Sequence, residues 1–208
     1  AKKECNIFYN VIACAMRHHS EEENLEMMKV AREFLGEGLC AVDLAGNEAA
    51  FPMENYVELF GEAKKLGLPF TIHAGECGRV ENVIQSVECG AARIGHGIAL
   101  RGNRDGISLC KEKGIGIEMC PISNLQTKSV QNPSEYPLRE FIDAGLRVTI
   151  NTDNRTVSNS SLQKEMEFVK KQYGITDDEL IKLTGNAIDV AFAEDSVKEE
   201  LWRRLRGV

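Results

Sequence analysis

The sequence predicts an α/β chain of six parallel βα units that form an incomplete (β/α)8 barrel. Apolar runs of strand length alternate with helical patterns along its whole length, as expected of parallel strands buried on both faces. Polar and ionisable residues recur at the carboxyl ends of five predicted strands: Asp43, His73 with Glu76, His96, Asn124 and Asp153. An open doubly wound sheet is the rival arrangement. Neither the strand–Gly-x-Gly-x-x-Gly–helix nor the Gly-x-x-x-x-Gly-Lys-Ser/Thr fingerprint of such sheets is present.

The strands are expected near Ile7–Met16, Leu39–Ala45, Pro69–His73, Arg93–His96, Ile115–Cys120 and Arg147–Thr152. Ser20 with Glu23 is a capping-box pattern opening a helix that ends near Gly36, and Glu21-Glu22-Glu23 suits its first turn through the helix dipole. Pro52 fits the first turn of the next helix, which Gly67 closes, and Gly90, Gly114, Gly145 and Gly174 punctuate later ones. After the last strand a helix is expected at Leu162–Tyr173. Two more follow, with Thr176/Glu179 and Ser196/Glu199 as capping pairs.

With 208 residues, 43% of them hydrophobic, the chain is expected to be one domain over 1–208 with a sizeable core, near the lower size limit of a complete barrel. A net charge of −7, from 32 acidic and 25 basic residues, argues against nucleic-acid or anionic-membrane surfaces and favours a small-molecule partner. The seven cysteines (Cys5, Cys14, Cys40, Cys77, Cys89, Cys110, Cys120) are scattered without Cys-x-x-Cys spacing, so buried thiols in a reducing cytoplasm are expected. No apolar run reaches the roughly 20 residues that span a bilayer, and the start Ala-Lys-Lys-Glu-Cys is not of signal-peptide type. Because the chain opens without methionine, an upstream segment is expected to have been removed.

In a barrel the strand carboxyl ends form one face, so the strand-end residues converge on a single pocket. Singly, each has a plainer reading: a strand-end histidine is often structural, and an aspartate there often caps the next helix. Together, His-Ala-Gly-Glu, Gly-His-Gly and Asn-Thr-Asp-Asn offer imidazoles and carboxylates among glycines that admit a ligand to the backbone. His73 and Asp153 would give zinc two of its usual ligands, one short of the three protein ligands of a catalytic site. The adjacent pair His18-His19 is not expected to chelate, because neighbours on a strand point to opposite faces. Glu118 is expected to face the barrel interior in a structural pair with Arg17.

The stretches Val42-Asp43-Leu44-Ala45-Gly46-Asn47-Glu48, Thr71-Ile72-His73-Ala74-Gly75-Glu76, Ile94-Gly95-His96-Gly97, Cys120-Pro121-Ile122-Ser123-Asn124 and Asn151-Thr152-Asp153-Asn154 resemble, in order and spacing, the motifs of the adenosine deaminase family within the metal-dependent amidohydrolases. The likeness runs from about Ile7 to the end. It implies zinc-dependent hydrolytic deamination of adenosine and 2′-deoxyadenosine, with a place in purine salvage. It further implies that His73 and Asp153 are zinc ligands and that Glu76 hands a proton to purine N1. By the same likeness His96 orients the attacking water and takes up its proton, and the Gly46 backbone donates to purine N3.

Two departures stand out. Where many relatives carry a second aspartate, this chain has Asn154, whose amide can donate to purine N7 without needing protonation. The family's His-x-His on its first strand is absent, so the zinc site is incomplete. The six strands therefore correspond to barrel strands three to eight, without the first two strands or the segment covering the ribose. The expected partners are a purine nucleoside and either a companion N-terminal barrel segment or further copies of the chain. The alternatives are a 6-aminopurine aminohydrolase of the adenine deaminase kind and a structural or binding fragment without turnover.

Overall fold

The computed structural model describes residues 6–77 and 79–207. Cys5 and the opening residues therefore lie outside the described part. Six strands alternate with helices: β1 (Val11–Met16), α1 (Glu21–Glu33), β2 (Leu39–Ala45), α2 (Val57–Lys65), β3 (Thr71–Ala74), α3 (Val80–Cys89), β4 (Arg93–His96), α4 (Arg104–Glu112), β5 (Gly116–Met119), α5 (Pro121–Gln126), α6 (Leu138–Asp143) and β6 (Arg147–Ile150). Three helices complete the chain: α7 (Leu162–Tyr173), α8 (Asp177–Val190) and α9 (Asp195–Arg206).

Every strand pairing is parallel and joins sequence neighbours: β1 with β2, then β3-β4-β5-β6. The two sheets meet at a bridge between Val42 and Phe70, where the Val42 N–H donates to the Pro69 carbonyl at 2.9 Å. Staves laid side by side in chain order are the arrangement of a (β/α)8 barrel, here as a partial set of strands. One sheet face packs Val42, Leu44, Ile72, Ile94, Ile117 and Val148 into a core with Phe60, Phe141 and Leu138 from the helices. The opposite face is polar: Thr71 Oγ1 donates to Glu118 Oε1 at 3.2 Å, and Arg93 Nε pairs with the same oxygen at 2.5 Å. Strands buried on both faces were the expectation, with Glu118 on the inner one; that inner face is polar across β3, β4 and β5.

The strand positions match expectation, with shorter ends. β1 begins at Val11 rather than Ile7, because its partner begins at Leu39 and a ladder extends only as far as both strands do. Both predicted boxes, Ser20/Glu23 and Thr176/Glu179, make their reciprocal hydrogen bonds. The third does not: α9 starts at Asp195 with Glu194 at the cap position, so Ser196 falls inside the first turn. Pro52 precedes a short 3-10 turn, Met53–Tyr56, that leads into α2. Of the described cysteines only Cys110 and Cys120 are buried, which corrects the expectation of uniformly buried thiols.

Arg17 is not the partner of Glu118. Its guanidinium is buried and donates to the carbonyls of Phe51 and His73, both at 2.7 Å, while its own carbonyl accepts from the Tyr56 hydroxyl. Arg93 takes Glu118 instead, because the register sets Arg93 opposite Gly116 on the neighbouring strand, two residues before Glu118 on the same face. Among the described residues no helix is long and apolar enough to cross a membrane.

Candidate active site

β3 delivers His73 at the carboxyl end of the sheet, and a buried carboxylate beneath it fixes its ring. His73 Nδ1 lies 2.9 Å from Asp43 Oδ2 and 3.1 Å from Oδ1, so Nδ1 carries a proton whether the ring is neutral or charged, and in the neutral ring the lone pair lies on Nε2. No protein partner of Nε2 is found among the described residues. Burial pulls the His73 pKa down, but the Asp43 hydrogen bond and charge, joined by Glu118 and Asp153, lift it to about 9. Arg17, bonded to the His73 carbonyl, anchors the backbone at this point.

His96 ends β4 with φ +66°, a left-handed conformation that L-residues rarely adopt. Its buried ring lies 5.1 Å from that of His73 in an edge-on arrangement. The Asn124 side-chain nitrogen lies 3.0 Å from His96 Nδ1, and the Tyr136 hydroxyl donates to Asn124 Oδ1. His96 Nε2 lies 3.6 Å from Glu76 Oε2.

Glu76 follows β3 by two residues. Its Oε1 is within reach of Asn124 Nδ2 (3.4 Å), Thr127 Oγ1 (3.3 Å) and Ser129 Oγ (3.2 Å). Its backbone is tied to Glu48, whose buried carboxylate accepts from the N–H groups of Gly75, Glu76 and Cys77.

Asp153 follows β6, also at positive φ (+55°), and accepts from Ser123 Oγ at 2.6 Å. Burial opposes ionisation, but the Ser123 hydrogen bond and the charges of His96 and His73 hold its carboxyl below the usual range. Ser123 and Asn124 sit together in the short helix α5, and the fully buried Glu165 of α7 holds that helix. Glu165 accepts from the Ile122 N–H at 3.2 Å and from Ser160 Oγ at 2.6 Å, and burial pushes its carboxyl pKa up.

The structure thus brings His73, Glu76, His96 and Asp153 to one mouth. Gly46 directly follows β2, and Asn154 directly follows Asp153, to whose carboxylate its backbone also hydrogen-bonds. Gly46 has φ +111°, and a Cβ there would meet the Arg17 backbone nitrogen at 3.3 Å, so only glycine suits the turn. Asn154 Oδ1 accepts from the N–H groups of Thr156 (3.1 Å) and Val157 (3.0 Å), which leaves its exposed amide nitrogen to donate outward. From the sequence, Asp43 and Asn124 were expected among the strand-end residues that converge on the pocket, and Ser123 and Glu48 stood within the motifs, all without an individual role; Glu165 was not singled out.

Cys14 has an exposed residue surface but sets Sγ 3.8 Å from Asp43 Oδ2, and partial desolvation of the thiol together with the Asp43 charge pushes its pKa up to about 12, which disfavours the thiolate. Among the described residues, no three His, Cys, Asp or Glu side chains cluster as a metal-holding group.

The sequence profile described as adenosine deaminase matches residues 1–208. An adenosine deaminase of Enterococcus faecalis is 43% identical over 196 residues, which covers 94% of this chain and 58% of that protein. Among solved structures, an adenine deaminase from Arthrobacter aurescens superimposes with a TM-score of 0.90 at 24% identity, covering 99% of this chain and 63% of that one. The N6-mAMP deaminase of Arabidopsis gives 0.89 at 26% identity, covering 97% and 60%. A Burkholderia ambifaria amidohydrolase with bound Zn gives 0.87 at 22% identity, covering 100% and 61%. The chain spans about three-fifths of the length of the proteins it matches. A profile match over residues 1–208, joined to 43% identity with a curated relative, places this chain in the adenosine deaminase family.

Proposed function

We propose that this chain carries the base-recognising and proton-transferring part of a cytoplasmic deaminase that converts adenosine and 2′-deoxyadenosine to inosine and 2′-deoxyinosine with release of ammonia, serving purine salvage. The observation that carries this reading is the pairing of Glu76 with His96 beside His73, in a chain that matches the adenosine deaminase family throughout.

His73, through the lone pair that Asp43 leaves on Nε2, and Asp153, held by Ser123, suit a borderline cation and are assigned as two of its ligands. A bound zinc ion supplies Lewis-acid activation, bringing the pKa of a water molecule to about 7. The chain's own residues manage the remaining protons. Glu76 Oε2 and His96 Nε2 lie 3.6 Å apart. Glu76, entering as the acid, would donate its proton to purine N1 as water adds to C6, and neutral His96 would take up the proton that the water gives up. His96 would pass that proton to the departing amine, which leaves C6 as ammonia, and the remaining C6 hydroxyl proton would return Glu76 to its acid form as the carbonyl forms. The Gly46 N–H and the Asn154 amide are assigned to purine N3 and N7.

Two ligands do not complete a zinc site, so the remaining ones are assigned to a companion polypeptide carrying the first barrel strands, or to another copy of the chain. A second reading, an aminohydrolase of a different 6-aminopurine, draws support from the likeness to the Arabidopsis N6-mAMP deaminase and from a residue set that addresses the base rather than the sugar. The third reading, a binding fragment without turnover, draws on the short ligand set.

The test is Glu76→Gln in the complete, zinc-loaded protein, assayed on adenosine, 2′-deoxyadenosine, adenine and 6-amino or N6-methyl purine monophosphates. Loss of the positioned acid is expected to cost about 10²–10⁴-fold in turnover with zinc content unchanged. Near-normal turnover, or zinc lost in parallel, would refute the assignment. The preferred substrate separates the first reading from the second.

A further inference from the structure

We propose that Glu48 is the positioning residue of the proton donor: its carboxylate fills a nest of backbone N–H groups and so sets the carboxyl of Glu76 in place. The inference rests on the role given to Glu76 above.

Glu48 is 3% exposed and has no cation within ion-pair distance among the described residues. The nearby Arg17 guanidinium donates its hydrogen bonds to the carbonyls of Phe51 and His73 and acts on Glu48 through its charge, without direct contact. A buried, unpaired carboxylate is costly and persists only when hydrogen bonds replace its solvent. Here four do. Oε1 accepts from the Gly75 N–H at 2.6 Å and Asn82 Nδ2 at 2.8 Å, and Oε2 accepts from the N–H groups of Glu76 at 3.0 Å and Cys77 at 3.1 Å.

Three consecutive N–H groups converge on one anion only where the chain coils into a nest, a concavity that commonly binds phosphate or another external anion. Gly75 makes the coil possible with φ +74°. A Cβ there would fall 2.6 Å from Val83 Cγ2. In this protein the anion comes from the loop after β2, so the nest is filled from within.

Glu76 is the middle residue of that nest and is held at both ends. Its backbone N–H is fixed by Glu48, and its Oε1 is fixed by Asn124, Thr127 and Ser129. Small misplacements of a reacting group are expensive in rate, so the backbone clamp should be read in turnover. The chemistry calls for a carboxylate. Each oxygen takes two donors, so a glutamine would set its NH₂ against two N–H groups whichever way it turned.

The test is a double-mutant cycle in the complete, zinc-loaded enzyme with Glu48→Gln, Glu76→Gln and the pair. Glu48→Gln is expected to lower kcat roughly ten- to hundredfold while KM, zinc content and far-UV circular dichroism stay near wild type. In the Glu76→Gln background the same change is expected to cost nothing further, because its effect runs through Glu76. Wild-type kcat in Glu48→Gln, or an equal cost in both backgrounds as a merely structural role gives, would overturn the proposal. Should Glu48→Gln fail to fold, Asn82→Ala removes one of the four bonds, and a smaller kcat loss with the same non-additivity is expected. An additive loss there counts against the proposal equally. Retained turnover in Glu76→Gln alone would overturn the reading of Glu76, in an arm that never touches Glu48.

Discussion

His73 and Asp153 each have one ring or carboxylate atom tied to a neighbour and another left for a ligand, and the neighbours differ in kind. Asp43 fixes the His73 tautomer, so Asp43→Asn should weaken zinc binding by about 10–100-fold without abolishing it. His73→Ala and Asp153→Ala should lose the metal, while His96→Ala should keep it and lose turnover. Chelator competition followed by elemental analysis ranks the four variants. If His96→Ala released zinc as readily as His73→Ala, the ligand assignment would be wrong. At this scale the strand-end rule located His73, His96 and Asp153 from sequence, because polar residues on the inner face near a strand's end have few other uses. Pairings between strands were not legible. Glu118 was given to Arg17, whereas Arg93 holds it, and only the strand register decides between them.

Local patterns place helices well where they contain their own frame. Ser20/Glu23 and Thr176/Glu179 cap as written. Ser196/Glu199 has the same spacing, yet the helix opens one residue earlier, and spacing alone cannot choose the frame. In α8 the capping carboxylate does double duty: Glu179 also pairs with Arg139 at 2.5 Å, and the Arg139 hydrogen bond and the Thr176 backbone hold its carboxyl down to about 2. A carboxyl depressed in the folded state adds stability above its unfolded pKa and loses it as pH falls through the folded one. The stability gap between wild type and Glu179→Gln should therefore be full at pH 7 and shrink from about pH 4.5 towards pH 2. Because the pair is partly exposed, the gap should stay near 1 kcal/mol or less. Urea melts across that range measure it, and a gap independent of pH would contradict the assignment.

Glu165 works between elements. It links α7 to the start of α5 and to Ser160, so it supports the helix that holds both Asp153 and His96. Glu165→Ala takes the partner from the buried Ser160 hydroxyl and the part-buried Ile122 N–H and should destabilise the fold by about 1–3 kcal/mol. A change below about 0.5 kcal/mol in denaturant titrations, the range of ordinary surface substitutions, would show that α5 is held by other means.

For the whole molecule, the strands lie in chain order, and β1 and β6 each have one neighbour among the described strands. On the outside, α9 reaches back across the gap. Arg204 donates to the carbonyl and side chain of Asn6, both at 2.9 Å, and Asn10 Nδ2 donates to the Phe192 carbonyl. Between these segments opens a largely apolar cavity of about 920 Å³ lined by Ile7, Tyr9, Leu39, Phe192 and Leu201. Such edges and apolar surface favour association with a further strand or another copy.

This chain is proposed to bring two zinc ligands and the proton-transfer pair, with the remaining ligands coming from outside it. The most direct test takes the 208-residue chain, verified by intact mass, and measures zinc stoichiometry, light scattering and ammonia release from adenosine on one sample. The predicted result is substoichiometric zinc, association beyond a monomer and no ammonia above a Glu76→Gln control, with turnover appearing when a polypeptide carrying the first barrel strands is added. A stable, zinc-saturated monomer that deaminates adenosine unaided would contradict it.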